Sequence, residues 1–294
     1  MQQTKQAVIF GAGQAGIAAL TNLADDFDVV AFCDNDATKH DTQLHQLPVI
    51  SPQHLSRYPT AHIIVASEFA EQIQTQLITE LAITKKRIQI LSWSALKLTK
   101  LGHAETKAHA IYLLTRMCRA LNEKSICYYV DAGTLLGIIR DQQLIPWDDD
   151  LDLALKSDEL ELTIQVVEAL LPELTSITGV SWVLEKQFAK QAFGAVPQGG
   201  VRAMKLRPEQ ESTNLPMMDF FIKYVEGEQM DYCLASRGIR MPSRHILQLD
   251  THEFCGQRIN IPSDVEDYLQ AHYGDWRTPK KDWGLHELTN ATLL

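Results

Sequence analysis

The sequence predicts a protein of two domains, each of which mixes helices with strands. At 294 residues the chain is long enough for two hydrophobic cores. Near the N-terminus, a short apolar strand leads into a glycine-rich turn and then an apolar helix. Further along, aspartates alternate with leucines, the period-two pattern of a strand. We expect one domain over residues 1–98 and a second over residues 104–294.

Composition narrows the class of protein. Apolar residues make up 45% of the chain and charged residues 22%, as in ordinary globular proteins, and the net charge of −10 argues against nucleic-acid binding. The 5 cysteines form no CxxC pair, which favours reduced thiols in a cytoplasm, and His252 with Cys255 makes at most half a zinc site. No apolar run is long enough to span a membrane. We predict a cytoplasmic protein, at most peripheral at the inner face of the membrane, and its oligomeric state stays open.

The N-terminal element order is typical of a Rossmann-type unit. A strand over residues 7–10 is followed at once by Gly11, Gly13 and Gly16 in the pattern GxGxxG, and a second strand ends at Asp34. Such glycines let phosphates approach the backbone at a helix N-terminus, and the acid after the second strand often contacts a ribose hydroxyl. These four residues are therefore the predicted nucleotide-binding set.

The rest of this region predicts strands over residues 63–66 and 88–91, with a helix from about residue 68 to 82 between them. The runs VVAFCDNDATKH and LHQLPVISPQHL resemble the N-terminal domain of PglD-type sugar acyltransferases, over residues 5–95. That resemblance implies a UDP-sugar ligand. Two alternatives stay open: a domain that has lost its ligand and serves in packing, and an NAD-linked oxidoreductase, which rests on the glycine pattern alone.

A linker is predicted over residues 92–103. After it, apolar residues recur at helical spacing through residues 104–123, and a strand follows over residues 126–130. A later helix is expected to open at Ser157 and to close at Pro172. Near the chain end, Ser263 and Glu266 have the spacing of a capping box.

The stretch IPWDDDLDLAL carries the chemistry. On a strand, Asp150 and Asp152 share one face while the leucines bury the other. Two such carboxylates repel unless a cation lies between them, and Mg²⁺ prefers oxygen ligands of this kind. We therefore predict a phosphoryl-transfer site that uses Mg²⁺, with Mn²⁺ as the alternative ion.

Two other interpretations of this stretch fit its features only in part. A solvated acidic loop explains the charge but leaves the leucine alternation without a cause. A calcium loop places aspartates at positions one, three and five, but its sixth position needs glycine and here is Leu153.

Residues on both sides of the acids add to the predicted site. Gly133, Gly137 and Arg140 fall on one side of a helix, where glycine admits a ligand and arginine can bind a phosphate. In the run MMDFFIKYV (residues 217–225), Asp219 is an isolated acid, which favours a metal ligand. Lys223 lies on the same face as Asp219 and could meet a phosphate or neutralise that acid. On the preceding strand, ordinary exposure is expected for at least one of Arg202 and Lys205.

The string GTLLGIIRDQQLIPWDDDLDLAL, with YGDW near the end of the chain, resembles the LicD family over residues 105–285. This family comprises phosphorylcholine transferases and fukutin-type ribitol-phosphate transferases. The resemblance implies an α+β nucleotidyltransferase-like fold for the second domain. It also implies a CDP-linked alcohol donor, a glycan or glycolipid acceptor of capsule or lipopolysaccharide biosynthesis, and release of CMP.

The sequence patterns and the family resemblance together predict the following roles. Asp150, Asp152 and Asp219 are the expected metal ligands, and Asp149 or Asp219 is the expected base. The phosphate- and substrate-binding set comprises Gly133, Thr134, Gly137, Arg140, Trp147 and Lys223. Two rival functions remain: nucleotidyl transfer from a nucleoside triphosphate with release of pyrophosphate, and a non-catalytic nucleotide-binding scaffold.

Overall fold

The computed structural model describes residues 5–24, 26–67, 69–91, 96, 99–210, 214–234, 237–281, 283–284 and 287–294. The chain divides into two compact units, Met1–Leu98 and Thr99–Leu294. Within the described ranges, we find no helix with both the length and the apolar character that crossing a membrane requires.

The first unit is built on a mostly parallel sheet. Its elements are β1 (Lys5–Phe10), α1 (Gln14–Asn22), β2 (Phe27–Cys33), β3 (Gln43–Leu44), β4 (Leu47–Ile50), β5 (His62–Val65), α2 (Ala70–Thr79) and β6 (Ile88–Ile90). The strand order is β3-β4-β2-β1-β5-β6, and only the β3–β4 pair is antiparallel. Val8 and Ile9 are both fully buried because apolar clusters cover both faces of this sheet.

The predicted elements of this unit agree with the structure apart from their ends. The helix expected from about residue 68 to 82 begins at Ala70 and ends at Thr79, and Glu68 lies outside the described residues. Part of the predicted linker over residues 92–103 also lies outside the described residues. Its last part belongs to the second unit, because the amides of Leu101 and Gly102 donate to the carbonyls of Asp148 and Pro146, at 2.8 Å each.

The second unit is larger. Its helices are α3 (Ala104–Glu123), α4 (Ala132–Asp141), α5 (Leu160–Thr178), α6 (Arg244–Leu247) and α7 (Val265–Tyr273). Its strands are β7 (Tyr128–Val130), β8 (Asp150–Lys156), β9 (Trp182–Phe188), β10 (Val201–Pro208), β11 (Met217–Glu226), β12 (Gln229–Leu234), β13 (Arg237–Pro242), β14 (Leu249–Phe254), β15 (Gln257–Pro262) and β16 (Ala291–Leu293).

The sheet of this unit is centred on β11. The first part of β11 lies between β10, which is antiparallel to it, and β8, which is parallel, and its end pairs with β12. From β12 the sheet continues through β13 to β16, while β9 flanks β10 and β7 flanks β8. β14 and β15 form a separate hairpin. This topology brings β8 and β11, far apart in sequence, side by side.

Two predicted helix ends are wrong. α5 continues through Pro172 to Thr178, because residues beyond the proline are anchored: Leu174 is buried and Glu173 accepts hydrogen bonds from Arg116 and Tyr112. The loss of one backbone hydrogen bond at proline is thus outweighed by packing. The capping box does not form, since the Ser263 hydroxyl donates to the Arg244 carbonyl and α7 begins after Asp264.

Candidate active site

Two carboxylates predicted to bind metal lie on neighbouring strands. In the parallel pairing of β8 with β11, Asp152 stands opposite Asp219 and Asp150 stands opposite Met217. Residues opposite each other in a ladder project from the same face of a sheet. Asp152 is 6% exposed and the Asp219 side chain 17% exposed, so both acids are largely removed from water. The topology therefore places the two carboxylates together.

The start of α4 covers Asp152. The Asp152 amide donates to the Thr134 hydroxyl at 2.8 Å, and the Thr134 amide faces Asp152 Oδ2 at 3.4 Å. The Asp131 amide, just before the helix, donates to the Asp152 carbonyl at 3.0 Å. These contacts tie the N-terminus of α4, which favours anions, to the carboxylate strand.

The loop before β8 and the first residue of that strand bring in further acids. One oxygen from each of Asp148, Asp149 and Asp150 lies within 4.8 Å of the others, and all three residues are partly exposed. A Cβ added to Gly133 would lie 2.3 Å from Asp148 Oδ2 and 3.6 Å from Asp152 Oδ2. Glycine at this position therefore lets the loop acid and the strand acid approach the same helix turn.

The electrostatics of these acids agree with a site that needs a cation. Burial raises the pKa of Asp152 well above its usual range, and the charges of Asp148, Asp219 and Asp131 raise it further. Burial also raises the pKa of Asp219, against the opposing charge of Lys205. In the described part of the chain, the buried Oδ1 atom of Asp219 has no hydrogen-bond partner. An orphaned carboxylate oxygen among oxygen donors fits a divalent ion such as Mg²⁺.

A buried polar network lies next to this cluster. Asp131 accepts hydrogen bonds from the Ala132 amide at 2.8 Å and the Tyr268 hydroxyl at 2.6 Å, and its other oxygen is 2.9 Å from Lys223 Nζ. The Lys223 ammonium also lies 3.1 Å from the centre of the Tyr232 ring. His272 completes the network, contacting the Tyr232 hydroxyl through Nε2 and the Tyr268 carbonyl through Nδ1.

The structure gives Lys223 a different partner from those expected. Its side chain is 0% exposed and pairs with Asp131, so it neutralises that acid instead of Asp219 and does not face solvent where a phosphate would arrive. Burial lowers its pKa, while the Asp131 charge acts in the opposite direction. Lys223 is thus an internal countercharge behind the candidate site.

Three other predicted substrate residues have clear structural environments. Arg140 binds both oxygens of the adjacent Asp141, at 3.0 and 2.7 Å, so its phosphate role stays a prediction. Gly137 serves close packing, because an added Cβ would lie 2.6 Å from the Gln143 carbonyl oxygen. Trp147 is half-buried, with the Lys281 ammonium 5.3 Å from its ring centre. Lys281 thus already lies against this ring, and the substrate role of Trp147 stays a prediction.

Sequence reasoning missed two residues. Asp131 precedes the glycine motif, and the signal was an acid directly before a helix, where an N-cap belongs. Tyr273 carries no signal in the sequence beyond its place in YGDW. Burial raises its pKa, followed by the charges of Asp152, Asp131 and Asp148, and its ring packs edge-on against Trp283 at 4.9 Å. Both residues therefore lie close to the acids.

In the first unit, close packing against the protein backbone accounts for two of the three glycines in the glycine turn. Gly11 has a φ of +123°, and a Cβ there would lie 2.2 Å from the Ala66 carbonyl oxygen; one at Gly16 would lie 1.9 Å from the Gly11 carbonyl oxygen. Gly13 is the one of these three glycines with open space around its Cβ position. Asp34 accepts from the Ala12 amide at 2.8 Å and pairs with Lys39 at 2.9 Å.

A cleft of about 220 Å³ opens at the carboxyl ends of β1, β2 and β5, where open α/β sheets bind ligands. Its lining includes Gly11, Asp34, Ser67, Gln72 and Gln76. Asn35 and Gln76 close one side through a reciprocal pair of amide hydrogen bonds, both 2.9 Å long. Nucleotide binding here stays a prediction.

Comparison with known proteins matches each unit separately. Residues 3–89 match a family model described as C2185-like, N-terminal, and residues 125–264 match one described as LicD/FKTN/FKRP, nucleotidyltransferase domain. Ribitol-5-phosphate transferase FKTN of Homo sapiens is 22% identical over 177 residues, which cover 58% of this chain and 34% of that protein. An uncharacterized protein of Rickettsia typhi is 40% identical over 57 residues, 19% of this chain and 18% of that protein. The chain thus spans about a third or less of the length of these relatives.

Solved structures give weak likenesses. ANT(2")-Ia in complex with adenylyl-2"-tobramycin is 15% identical, covers 60% of this chain and 82% of its own, and has a TM-score of 0.32. UDP-D-quinovosamine 4-dehydrogenase from Vibrio fischeri is 27% identical over 30% of this chain and 76% of its own, with a TM-score of 0.25. Neither score supports an argument about function. The family match covers the acid-bearing part of the chain: residues 125–264 match the model of the LicD/FKTN/FKRP nucleotidyltransferase domain.

Proposed function

We propose that the protein is a metal-dependent phosphotransferase that moves a phospho-alcohol group from a CDP-linked donor to a hydroxyl of a glycan or glycolipid precursor. The second unit then has a nucleotidyltransferase-like fold. The observation that carries this proposal is the pairing of Asp152 with Asp219 beside the acidic loop, with one Asp219 oxygen buried and without a hydrogen bond among the described residues. The family match, and the ribitol-5-phosphate transferase FKTN relatives, support the reaction class.

The chemistry is a substitution at phosphorus. The acceptor oxygen forms a bond to the phosphorus of the phospho-alcohol group, the bond from that phosphorus to the CMP oxygen breaks, and the hydroxyl proton passes to a base. Asp150, Asp152 and Asp219 would hold Mg²⁺, which offsets the charge that develops on the phosphate oxygens. Asp149 or Asp219, both partly exposed, would accept the proton of the acceptor hydroxyl.

The N-terminus of α4 supplies the second part of the site. Backbone amides at Gly133 and Thr134 lie where an anion is favoured by the helix dipole, and Gly133 lets the Asp148 carboxylate approach the same helix turn. The Thr134 amide lies 3.4 Å from Asp152 Oδ2, which is long for a hydrogen bond. A phosphate oxygen can therefore compete for this amide. Donor phosphates would therefore bind between the metal and this helix end.

The test is product analysis with purified full-length protein. Incubation with Mg²⁺ and CDP-ribitol, CDP-choline or CDP-glycerol, with glycan acceptors, should release CMP. Asp150→Ala should reduce CMP release by about a hundredfold or more without changing the circular dichroism spectrum. Asp158→Ala, at an exposed acid paired with Lys156, is the matched control and should keep wild-type turnover.

Two outcomes would contradict the proposal. Near wild-type turnover by Asp150→Ala would exclude the metal-binding role of that acid. Pyrophosphate released from a nucleoside triphosphate, with no CMP from any CDP-alcohol, would assign nucleotidyl transfer instead.

For the first unit we propose a sugar-nucleotide ligand in the cleft beside Gly13, and a thermal-shift series with UDP-sugars tests it. Absence of any shift on wild-type protein would favour the packing role.

A further inference from the structure

A row of charged side chains crosses four adjacent strands of the second unit. The strand register places Glu185 of β9 opposite Lys205 of β10, Lys205 opposite Asp219 of β11, and Asp219 opposite Asp152 of β8. Because opposite residues share a face, the ammonium of Lys205 lies on the face of the two candidate metal ligands, beside Asp219. A cation is therefore already built into the edge of the acid cluster.

The contact between Lys205 and Asp219 is loose. Lys205 Nζ lies 3.4 Å from Asp219 Oδ2, longer than the roughly 2.8 Å typical of charge-assisted hydrogen bonds. The Lys205 side chain is 25% exposed, whereas Lys223, the other lysine near these acids, is 0% exposed. Lys205 can thus move without being pulled out of the core.

The neighbour on the other side does not hold Lys205 in place. Glu185, its register partner, forms an ion pair with Arg207 at 2.5 Å. Asp219 is therefore the acid with which Lys205 forms an ion pair in the described structure. The second oxygen of Asp219 is buried without a hydrogen bond among the described residues, so Lys205 satisfies only part of this carboxylate.

We infer that Lys205 binds a donor phosphate, and that it leaves Asp219 when a divalent ion takes its place at that carboxylate. This inference rests on the proposed function. An ammonium and a divalent ion at one carboxylate repel each other, so binding of the ion favours displacement of the lysine. The displaced ammonium, still at the edge of the site, then meets phosphate oxygens, for which lysine is a common point-charge ligand.

The inference predicts opposite changes in two affinities, which titration calorimetry on the full-length protein can measure. In Lys205→Met, Mg²⁺ without nucleotide should bind about threefold or more tightly, because a competing cation is gone. CDP in the presence of saturating Mg²⁺ should bind about tenfold or more weakly, the loss of one charge-assisted hydrogen bond. Lys205→Arg, which keeps the charge, should retain CDP affinity within about threefold.

Lys156→Met is the matched control. Lys156 is 23% exposed and pairs with Asp158 at 2.9 Å, close to Lys205 in exposure and in type of contact, and its substitution should leave both affinities unchanged. If Lys205→Met left both affinities unchanged, or weakened both, the inference would be wrong while the metal site stood. If wild-type protein bound no Mg²⁺, the proposed function itself would fail, and this inference with it.

Discussion

Asp152 and Asp219 stand directly opposite each other on two parallel strands, and both side chains are largely withdrawn from water. Neighbouring strands lie about 4.8 Å apart, so the two carboxylates share a small volume on one face of the sheet. Buried carboxylates at this separation resist being ionised together. A divalent cation between them removes the conflict, which is why this pair, more than the partly exposed acids Asp148, Asp149 and Asp150, defines the candidate site.

Removing one of these charges should stabilise the metal-free protein. We expect Asp152→Asn or Asp219→Asn to raise the free energy of unfolding by about 1 kcal/mol, because functional sites often hold destabilising charges. Thermal unfolding in a chelator should show a melting temperature higher by about 2–4 °C. Added Mg²⁺ should stabilise wild-type protein and neither variant. A variant less stable than wild type in the chelator would contradict this prediction.

Two glycines of α4 should respond differently to alanine. Gly133→Ala places its Cβ 2.3 Å from the movable end of Asp148, so we expect little loss of stability but a loss of activity of about a hundredfold. Gly137→Ala places its Cβ 2.6 Å from a backbone carbonyl and should lower the free energy of unfolding by about 1–3 kcal/mol. Urea unfolding and CMP release measure both. Equal destabilisation by the two substitutions would show that Gly133 serves packing alone.

Lys223 should be required for stability because it neutralises a buried acid. Lys223→Met leaves Asp131 charged and unpaired in the core, and we expect a loss of about 3–5 kcal/mol. Asp131→Asn combined with Lys223→Met should recover part of this loss, since no uncompensated charge remains. Urea unfolding of the two single variants and the double variant gives the coupling energy. Additive losses would show that the ion pair contributes nothing.

His272 should make stability depend on pH. Burial lowers its pKa from 6.5 to about 4, with Asp131 and Lys223 acting in opposite directions nearby. Between pH 6.5 and pH 4 the unfolded chain binds a proton that the folded chain excludes. Stability therefore decreases as the pH is lowered through this window. The total is about 3 kcal/mol. Urea unfolding at several pH values should show this slope, and His272→Gln should flatten it. An unchanged slope in the variant would assign the effect to other groups.

Local patterns predicted much of the fold. The strand, glycine turn and helix at the N-terminus, the helix α3 and the strand β8 depend on residues close in sequence, and each is present. The proximity of Asp219 to the other acids could be anticipated because an acid in an apolar strand needs a partner. Helix ends were less predictable: Pro172 lies inside α5 because tertiary contacts hold the turn beyond it.

Pairings across the fold could not be predicted. Lys223 follows Asp219 on the same strand face, so the sequence offers Asp219 as its partner, yet the buried pair is with Asp131. That choice depends on the side-by-side positions of β7, β8 and β11, which no local pattern encodes. Arg140 is the opposite case, because its ion-pair partner, Asp141, is the next residue in the sequence.

The most direct measurement is the position of a Mn²⁺ ion, located by anomalous scattering in crystals of the full-length protein soaked with MnCl₂. The account predicts a peak about 2.0–2.2 Å from carboxylate oxygens of Asp150, Asp152 and Asp219, the range for small divalent ions. A peak bound only by Asp148, Asp149 and Asp150, or no peak beside Asp152 and Asp219, would contradict it.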